Sequence, residues 1–302
     1  MNASSSGRPR ICAAIVTYFP TSDLADGLQA LAAQVSEIVI VDNGSSVELL
    51  DAIQRAADAV EAQVIRLGAN LGIACALNVA LDFALRRECE WLATFDQDSR
   101  VTDGMLQEML RVAHDSPHPD RVAVIAPAHV DRRSGIHLDS GVYQHIGADS
   151  RVLYTTMTSG NLVCVGAASA VGGFDGALFI DYVDHEFCLR LRRHGYQILE
   201  AQSAKLVHSL GDITAHRLMG RRVLVTNHSV LRRYYISRNR LIVWRQYWKS
   251  ENTWVLRDMR AFMTELVKML LFERDRWPKI KMVFRGSIDA ARGVRGPLRP
   301  AS

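Results

Sequence analysis

The stretch Trp91-Leu92-Ala93-Thr94-Phe95-Asp96-Gln97-Asp98-Ser99 closes an apolar run with two carboxylates one residue apart. That pattern reads as a buried strand delivering its C-terminal edge into a cleft. In open α/β sheets that edge is where ligands bind. From it one carboxylate can hold a hard divalent ion directly, while the other holds a sugar or a metal-bound water. The same residues would also make an acidic turn. Three upstream strand ends carry groups suited to a nucleotide. The first ends in Thr17-Tyr18, whose backbone and ring could cover a base. The second ends in Asp42, whose carboxylate can accept the imide N–H of uracil or thymine. The third is followed by Asn70-Leu71-Gly72, where a helix N-terminus could face a diphosphate. Asp42-Asn43-Gly44 would equally form a plain turn, and Asn70 a plain helix cap. The chain has no GxGxxG after its first strand and no GxxxxGK[ST], so dinucleotide and P-loop readings lack support.

The elements that must position these groups follow from hydrophobic period. Apolar strands at Ile11–Thr17, Glu37–Val41, Gln63–Leu67 and Trp91–Phe95 alternate with helical spacing over Asp23–Gln34, around Leu49–Ala57, and over Ile73–Arg86. Four such alternations imply an α/β fold, a mostly parallel sheet with helices on both faces. Beyond Asp98 the spacing predicts a helix over Asp103–His114, a strand at Val122–Ala126 and, over the polar, turn-rich residues 129–156, a hairpin or an excursion over the site. A strand at Leu162–Val165, a helix over Asp184–His194 and short strands at Tyr196–Glu200 and Ala204–Val207 follow. From His228 the chain is helical and basic, interrupted near Pro278. The expected organisation is a disordered N-terminus (1–9), a nucleotide-binding body (10–227) and a basic helical extension (228–302).

Charge divides along the same line. From His216 onward there are 20 Lys and Arg against 6 Asp and Glu, about +14; residues 1–215 hold the other 16 basic and 26 acidic residues, about −10. Such a tail suits phosphates, anionic lipid or nucleic acid. The five cysteines show no CxxC and sit mostly in apolar runs, as reduced core residues would. The Ser/Gly/Arg-rich start lacks a signal-peptide core, and no stretch reaches the ~20 apolar residues of a membrane span. A cytoplasmic protein, at most peripheral on a membrane, is expected.

Val16-Thr17-Tyr18, Val41-Asp42-Asn43-Gly44-Ser45, Asn70-Leu71-Gly72-Ile73-Ala74 with Asn78, and Asp96-x-Asp98 resemble, in order and spacing, the family 2 inverting glycosyltransferases of the GT-A fold. The string Phe179-Ile180-Asp181-Tyr182-Val183-Asp184-His185-Glu186 resembles their region around the catalytic base. With Asp96-Gln97-Asp98-Ser99 and Thr158-Ser159-Gly160-Asn161, it resembles in particular the bacterial rhamnosyltransferases, which use dTDP-L-rhamnose to build surface glycans. The resemblance, over about residues 10–245, implies Mg²⁺ or Mn²⁺ held by Asp98 and Asp96, with His208 as a further ligand. It implies Asp184 as the base, with Asp181 as its competitor because the Glu that usually precedes the base is Val183 here. Thr17, Tyr18, Asp42, Asn70, Gly72, Asn78 and Asp96 would hold the donor nucleotide. Gly160, Asn161 and Glu186 would meet the sugar or acceptor. Arg238, in Arg238-Asn239-Arg240, would fork onto a phosphate.

The aromatic and basic tail, with apolar spacing at Phe262, Leu266 and Met269-Leu270, suits an anionic membrane surface, as a lipid-linked acceptor would require. Packing on the body or on a second subunit would suit it equally, and no nucleic-acid partner is expected. A nucleotidyltransferase would need a Gly-rich basic loop where Thr17-Tyr18-Phe19-Pro20 stands. A non-catalytic binding module would not explain the acids Asp96, Asp98, Asp181, Asp184 and Glu186, which are costly together without a cation or proton to manage.

Overall fold

The computed structural model describes residues 9–21, 23–131, 142–145, 149–208, 213–218 and 221–298. The elements run β1 (Ile11–Thr17), α1 (Leu24–Ala32), β2 (Glu37–Asp42), α2 (Val47–Asp58), β3 (Gln63–Arg66), α3 (Ile73–Arg86), β4 (Trp91–Asp96), β5 (Arg100–Val101) and α4 (Met105–His114). They continue with β6 (Val122–Asp131), β7 (Val142–His145), β8 (Ser150–Leu153), β9 (Asn161–Cys164), α5 (Val165–Ala170), α6 (Val183–Arg193), β10 (Gln197–His208), β11 (Ile213–Leu218) and β12 (Arg221–Thr226). Three helices close the chain: α7 (Val230–Tyr247), α8 (Asn252–Phe272) and α9 (Arg276–Ala291).

The main sheet has the order β3-β2-β1-β4-β9-β6-β10-β8-β7, with β5 beside β10. Its first four strands are parallel. β9 enters antiparallel between β4 and β6, and β10 runs parallel to β6. Strand order reverses between β1 and β4, because β2 and β3 lie to one side of β1 and β4 to the other. That reversal splays the connections at the strand C-termini and opens a crevice there.

Alternation along β1 shows why this segment forms a central strand. Cys12, Ala14 and Val16 enter a core layer with Leu77, Leu81, Phe187 and Leu191 of α3 and α6. Ile11, Ala13 and Ile15 enter the opposite layer with Leu28, Ile53 and Met109 of α1, α2 and α4. A strand apolar on both faces is stable only between two helical layers. A third cluster joins Tyr182 and Leu189 to Trp244, Tyr247, Trp254 and Val255, and so seats α7 and α8 against α6.

Several element expectations need revision. The two short strands expected at Tyr196–Glu200 and Ala204–Val207 are one strand, β10, whose register against β6 shifts between Ala201 and Lys205. The polar residues Gln202 and Ser203 fall in that bulge. α5 and the β11–β12 hairpin were not expected. The interruption expected near Pro278 falls between Phe272 and Arg276, and Pro278 itself sits in the first turn of α9, where its missing N–H costs nothing. The residues expected to be disordered at the N-terminus lie, but for Pro9, outside the described residues.

Candidate active site

A cleft of about 600 Å³ opens at the β1–β4 switch point. Tyr18 and Thr21 line it from beyond β1, Asn43 from beyond β2, and Asn70, Gly72 and Ile73 from the start of α3. Asp96, Gln97 and Asp98 line it from β4, and Phe179 and Ile180 from the loop before α6. Asp96 is half-buried at the strand end and Asp98 is exposed in the turn beyond it. Gln97, which the sequence reading passed over, spans the switch point by accepting the Tyr18 N–H at 2.9 Å through Oε1.

The segment Thr158–Asn161 braces this acidic turn. Thr94 Oγ1 donates to Thr158 O at 2.6 Å, the Gly160 N–H to Thr94 O at 2.6 Å, and the Asp96 N–H to Ser159 Oγ at 3.3 Å. Ser99 and Ser159 share a hydroxyl hydrogen bond of 2.7 Å. Gly160 has φ +83°, and a Cβ there would stand 2.6 Å from Leu206 Cδ2. Asn161 is buried, with Nδ2 donating to Met157 O at 2.6 Å. Neither lines the cleft, so both support the acidic turn where contact with a sugar was expected. Asn161 and Asp184 are both among the residues that line a separate void of about 10 Å³, room for one water molecule.

Thr17 and Asp42 are both buried and bonded to each other, Thr17 Oγ1 donating to Asp42 Oδ1 at 3.1 Å. Asp42 Oδ2 also accepts the N–H groups of Gly44 and Ser45, at 3.2 and 3.1 Å. Three of roughly four lone-pair sites on the carboxylate are thereby filled, and it is Asn43 that lines the cleft here. Asn43 clasps the next loop, Nδ2 donating to Asn70 Oδ1 at 3.2 Å and Oδ1 accepting the Leu71 N–H at 2.9 Å. Asn70 Oδ1 also accepts the Gly72 N–H at 3.0 Å. The first α3 amide, Ile73 N–H, donates to Phe179 O at 2.9 Å, so it does not point free toward a diphosphate. Gly72 is required there: its φ is +88°, and a Cβ would collide with Phe179 O. Asn78 lies outside the cleft, tying α3 to Phe174 through both backbone groups at 2.7 and 2.8 Å.

The loop before α6 is strained and heavily restrained. Phe179, Asp181 and Tyr182 all have positive φ, at +68°, +63° and +65°. Such conformations persist in non-glycine residues only where the surroundings over-determine them. α7 does so. Asn239 Nδ2 lies 2.9, 2.8 and 2.9 Å from the carbonyls of Leu178, Ile180 and Asp181. Arg238 donates to Leu178 O at 3.1 Å, Gly296 O at 2.5 Å and Asn239 Oδ1 at 2.9 Å. Arg238 is wholly buried (0 % exposed) near the rings of Tyr234 and Tyr235. The expected phosphate contact is therefore corrected: Arg238 and Asn239 hold the loop that walls the cleft.

The arginine of α7 that reaches this edge is Arg232, half-exposed and ion-paired with Asp181. Burial pushes the Asp181 carboxyl above its ordinary range, and Arg232 opposes that shift. Asp184 stands in the first turn of α6, partly exposed, and accepts the His185 N–H at 2.8 Å. Glu186 is buried (2 %), bonded to Arg190 at 2.9 Å and to the Tyr247 hydroxyl at 2.8 Å. It fastens α6 to α7 and is closed to a sugar. The His208 side chain lies outside the described residues.

Among the described residues no three His, Cys, Asp or Glu side chains gather into a metal cage. Asp96 and Asp98 at a cleft edge fit a cation that takes its other ligands from phosphate oxygens and water, as Mg²⁺ commonly does.

Residues 12–160 match the family model for glycosyl transferase family 2. The chain carries a glycosyl transferase family 2 domain there. This glycosyltransferase is 28% identical to "dTDP-rhamnosyl transferase RfbF" of Shigella flexneri over 95% of its own length and 97% of the relative's. Its fold resembles that of S. aureus TarS 1–349 in complex with UDP-GlcNAc, with TM-score 0.64, 15% identity, and 93% and 81% of the two chains covered. It also resembles the Pyrobaculum calidifontis mannosyltransferase PcManGT in complex with GDP-Man and Mn²⁺, with TM-score 0.58, 12% identity, and 95% and 88% covered. The GT-A fold expected from the motifs is thus the fold observed.

Proposed function

We propose that this glycosyltransferase moves L-rhamnose from dTDP-L-rhamnose, with inversion, onto a hydroxyl of a growing surface glycan or lipid-linked acceptor. The observation that carries the reading is the cleft at the switch point, with Asp96 and Asp98 on one wall. The loop leading to Asp184 forms the other. The end-to-end likeness to a dTDP-rhamnosyl transferase supports the donor.

Glycosyl transfer needs a stabilised diphosphate leaving group, an activated acceptor hydroxyl and alignment of the two. Tyr18 and the strand-end turn at Asn43 would bound the base, with buried Asp42 shaping that turn from beneath in place of the imide contact first given to it. Asp98, assisted by Asp96, would hold Mg²⁺ or Mn²⁺, which when bound neutralises charge on the diphosphate. Arg232, ion-paired with Asp181 next to the cleft-lining Ile180, would take the phosphate role first given to Arg238. Asp184 would accept the acceptor's proton as the new C1–O bond forms and the bond to the diphosphate breaks. Asp181, already paired with Arg232, is the weaker candidate base. Among the described residues no helix is long and apolar enough to cross a membrane. Peripheral contact with the cytoplasmic membrane would bring the enzyme to a lipid-linked acceptor.

Thermal-shift comparison of dTDP, UDP and GDP, each with and without Mn²⁺, tests the donor. Metal-dependent stabilisation by dTDP at least as large as by UDP is expected; stabilisation by GDP alone would overturn it. Inversion is read from the anomeric configuration of the product by NMR, and retention would contradict the assignment of Asp184.

A further inference from the structure

We propose that the outward face of α8, together with the corner where α8 meets α9, is a docking surface for an anionic lipid bilayer. The idea takes its purpose from the lipid-linked acceptor proposed above, and its substance from exposure and charge.

α8 is apolar on two sides. Trp254, Val255 and Met269 face inward and are buried. On the other side Leu256, Met259, Met263, Val267 and Leu270 recur at intervals of three and four residues, with exposures of 45, 37, 60, 52 and 44%. That spacing makes one continuous stripe along the helix. It runs into Leu271 (54%) and, past the turn, Trp277 (76%). A stripe of this length is not the scatter of single apolar residues found on ordinary surfaces.

The charges on these helices are sorted. Asp258 binds Arg240 and the Trp244 N–H, Glu265 binds Arg240, Glu273 lies buried between Arg233 and Lys279, and Asp289 accepts the Tyr234 hydroxyl. Four of the five acids of residues 252–291 are therefore spent on inward contacts, and Asp275 is the exposed exception. Arg257, Arg260, Arg274 and Lys281 are exposed. An apolar stripe flanked by cations matches the boundary between anionic headgroups and acyl chains. Trp277 at the corner suits the same boundary. A second copy of this chain would cover the stripe less well, because a two-fold contact sets the same cations against each other.

Flotation of the full-length protein with vesicles tests the surface. On phosphatidylcholine vesicles carrying about 30% phosphatidylglycerol, at about 0.1 M salt, the protein should bind at least about tenfold more tightly than on phosphatidylcholine alone. Raising the salt to about 0.5 M should weaken it. Met263→Glu with Trp277→Ser should abolish flotation while release of dTDP from a soluble donor continues at the wild-type rate. Loss of flotation without loss of donor turnover separates this surface from the donor reading. Absence of binding to either vesicle would overturn the proposal. So would wild-type dimers in solution that Met263→Glu converts to monomers, since the stripe would then be an interface between copies.

Discussion

Asp184 and Asp181 lie three residues apart and carry different loads. Asp181 is buried, strained and held by Arg232, whereas Asp184 is partly exposed and accepts the His185 N–H at its own helix start. Asp184→Asn should lower kcat by at least about 100-fold, the usual range for a lost general base. Donor KM should change little, as steady-state kinetics will read. Asp181→Asn should instead free Arg232 and alter donor KM more than kcat. Gly72→Ala places a Cβ against Phe179 O and a side chain at φ +88°. A stability loss of about 1–3 kcal/mol, with weaker dTDP binding, is expected from urea unfolding and calorimetry. The place of Asp96 and Asp98 at a cleft edge was legible because an apolar run ending in carboxylates reads as a strand delivering its end to a crevice. The roles of Arg238 and Glu186 were not, since an arginine in a helix gives no sign that three carbonyl-type acceptors wait inside the fold. Asn43 and Gln97 were hidden in what read as turn and spacer; their work is to join loops, which only tertiary contact reveals.

At the scale of elements, the C-terminal helices position the loop before α6. Asn239 and Arg238 pin residues 178–181. Tyr182, the residue before α6, donates its hydroxyl to Asp258 of α8 at 2.8 Å, with Arg240 beside it. Arg192 of α6 reaches Glu251 at 3.0 Å. Asn239→Ala removes the amide shared by three carbonyls of a strained loop. It should cost about 1–3 kcal/mol in unfolding free energy and lower kcat/KM by about tenfold or more. Restored activity in Asn239→Gln would argue that the longer amide still reaches the loop. The parallel strands could be read from period because both faces of each are buried. The β11–β12 hairpin and α5 could not, being too short for period to declare itself. β10 read as two strands because its bulge carries polar residues.

Across the whole molecule, the acidic body and basic tail are joined by ion pairs: Asp181 with Arg232, Arg192 with Glu251 and Asp175 with Arg295. This makes the extension part of the enzyme's framework, which charge counting alone did not reveal. His228 lies under this cationic junction. Burial first, then the field of Arg232, Arg233, Arg240 and Lys279, pushes it down to about 3. Between its ordinary value of about 6.5 and that depressed value, the unfolded chain takes a proton the folded chain refuses. This stabilising contribution is therefore complete above about pH 6.5 and is lost as pH falls, by up to about 1.4 kcal/mol per unit. Urea unfolding at pH 7 and pH 5 should show His228→Gln losing less stability on acidification than the wild type.

Asp96 and Asp98 would mark the donor site of a metal-assisted glycosyltransferase. Release of dTDP from dTDP-L-rhamnose by the purified protein, measured with Mg²⁺ or Mn²⁺, tests it most directly. The wild type should release dTDP, slowly without acceptor and faster with it. Chelation, or Asp96→Asn with Asp98→Asn in a folded protein, should reduce release by at least about 100-fold. Release at the wild-type rate from the doubly substituted protein would contradict the account.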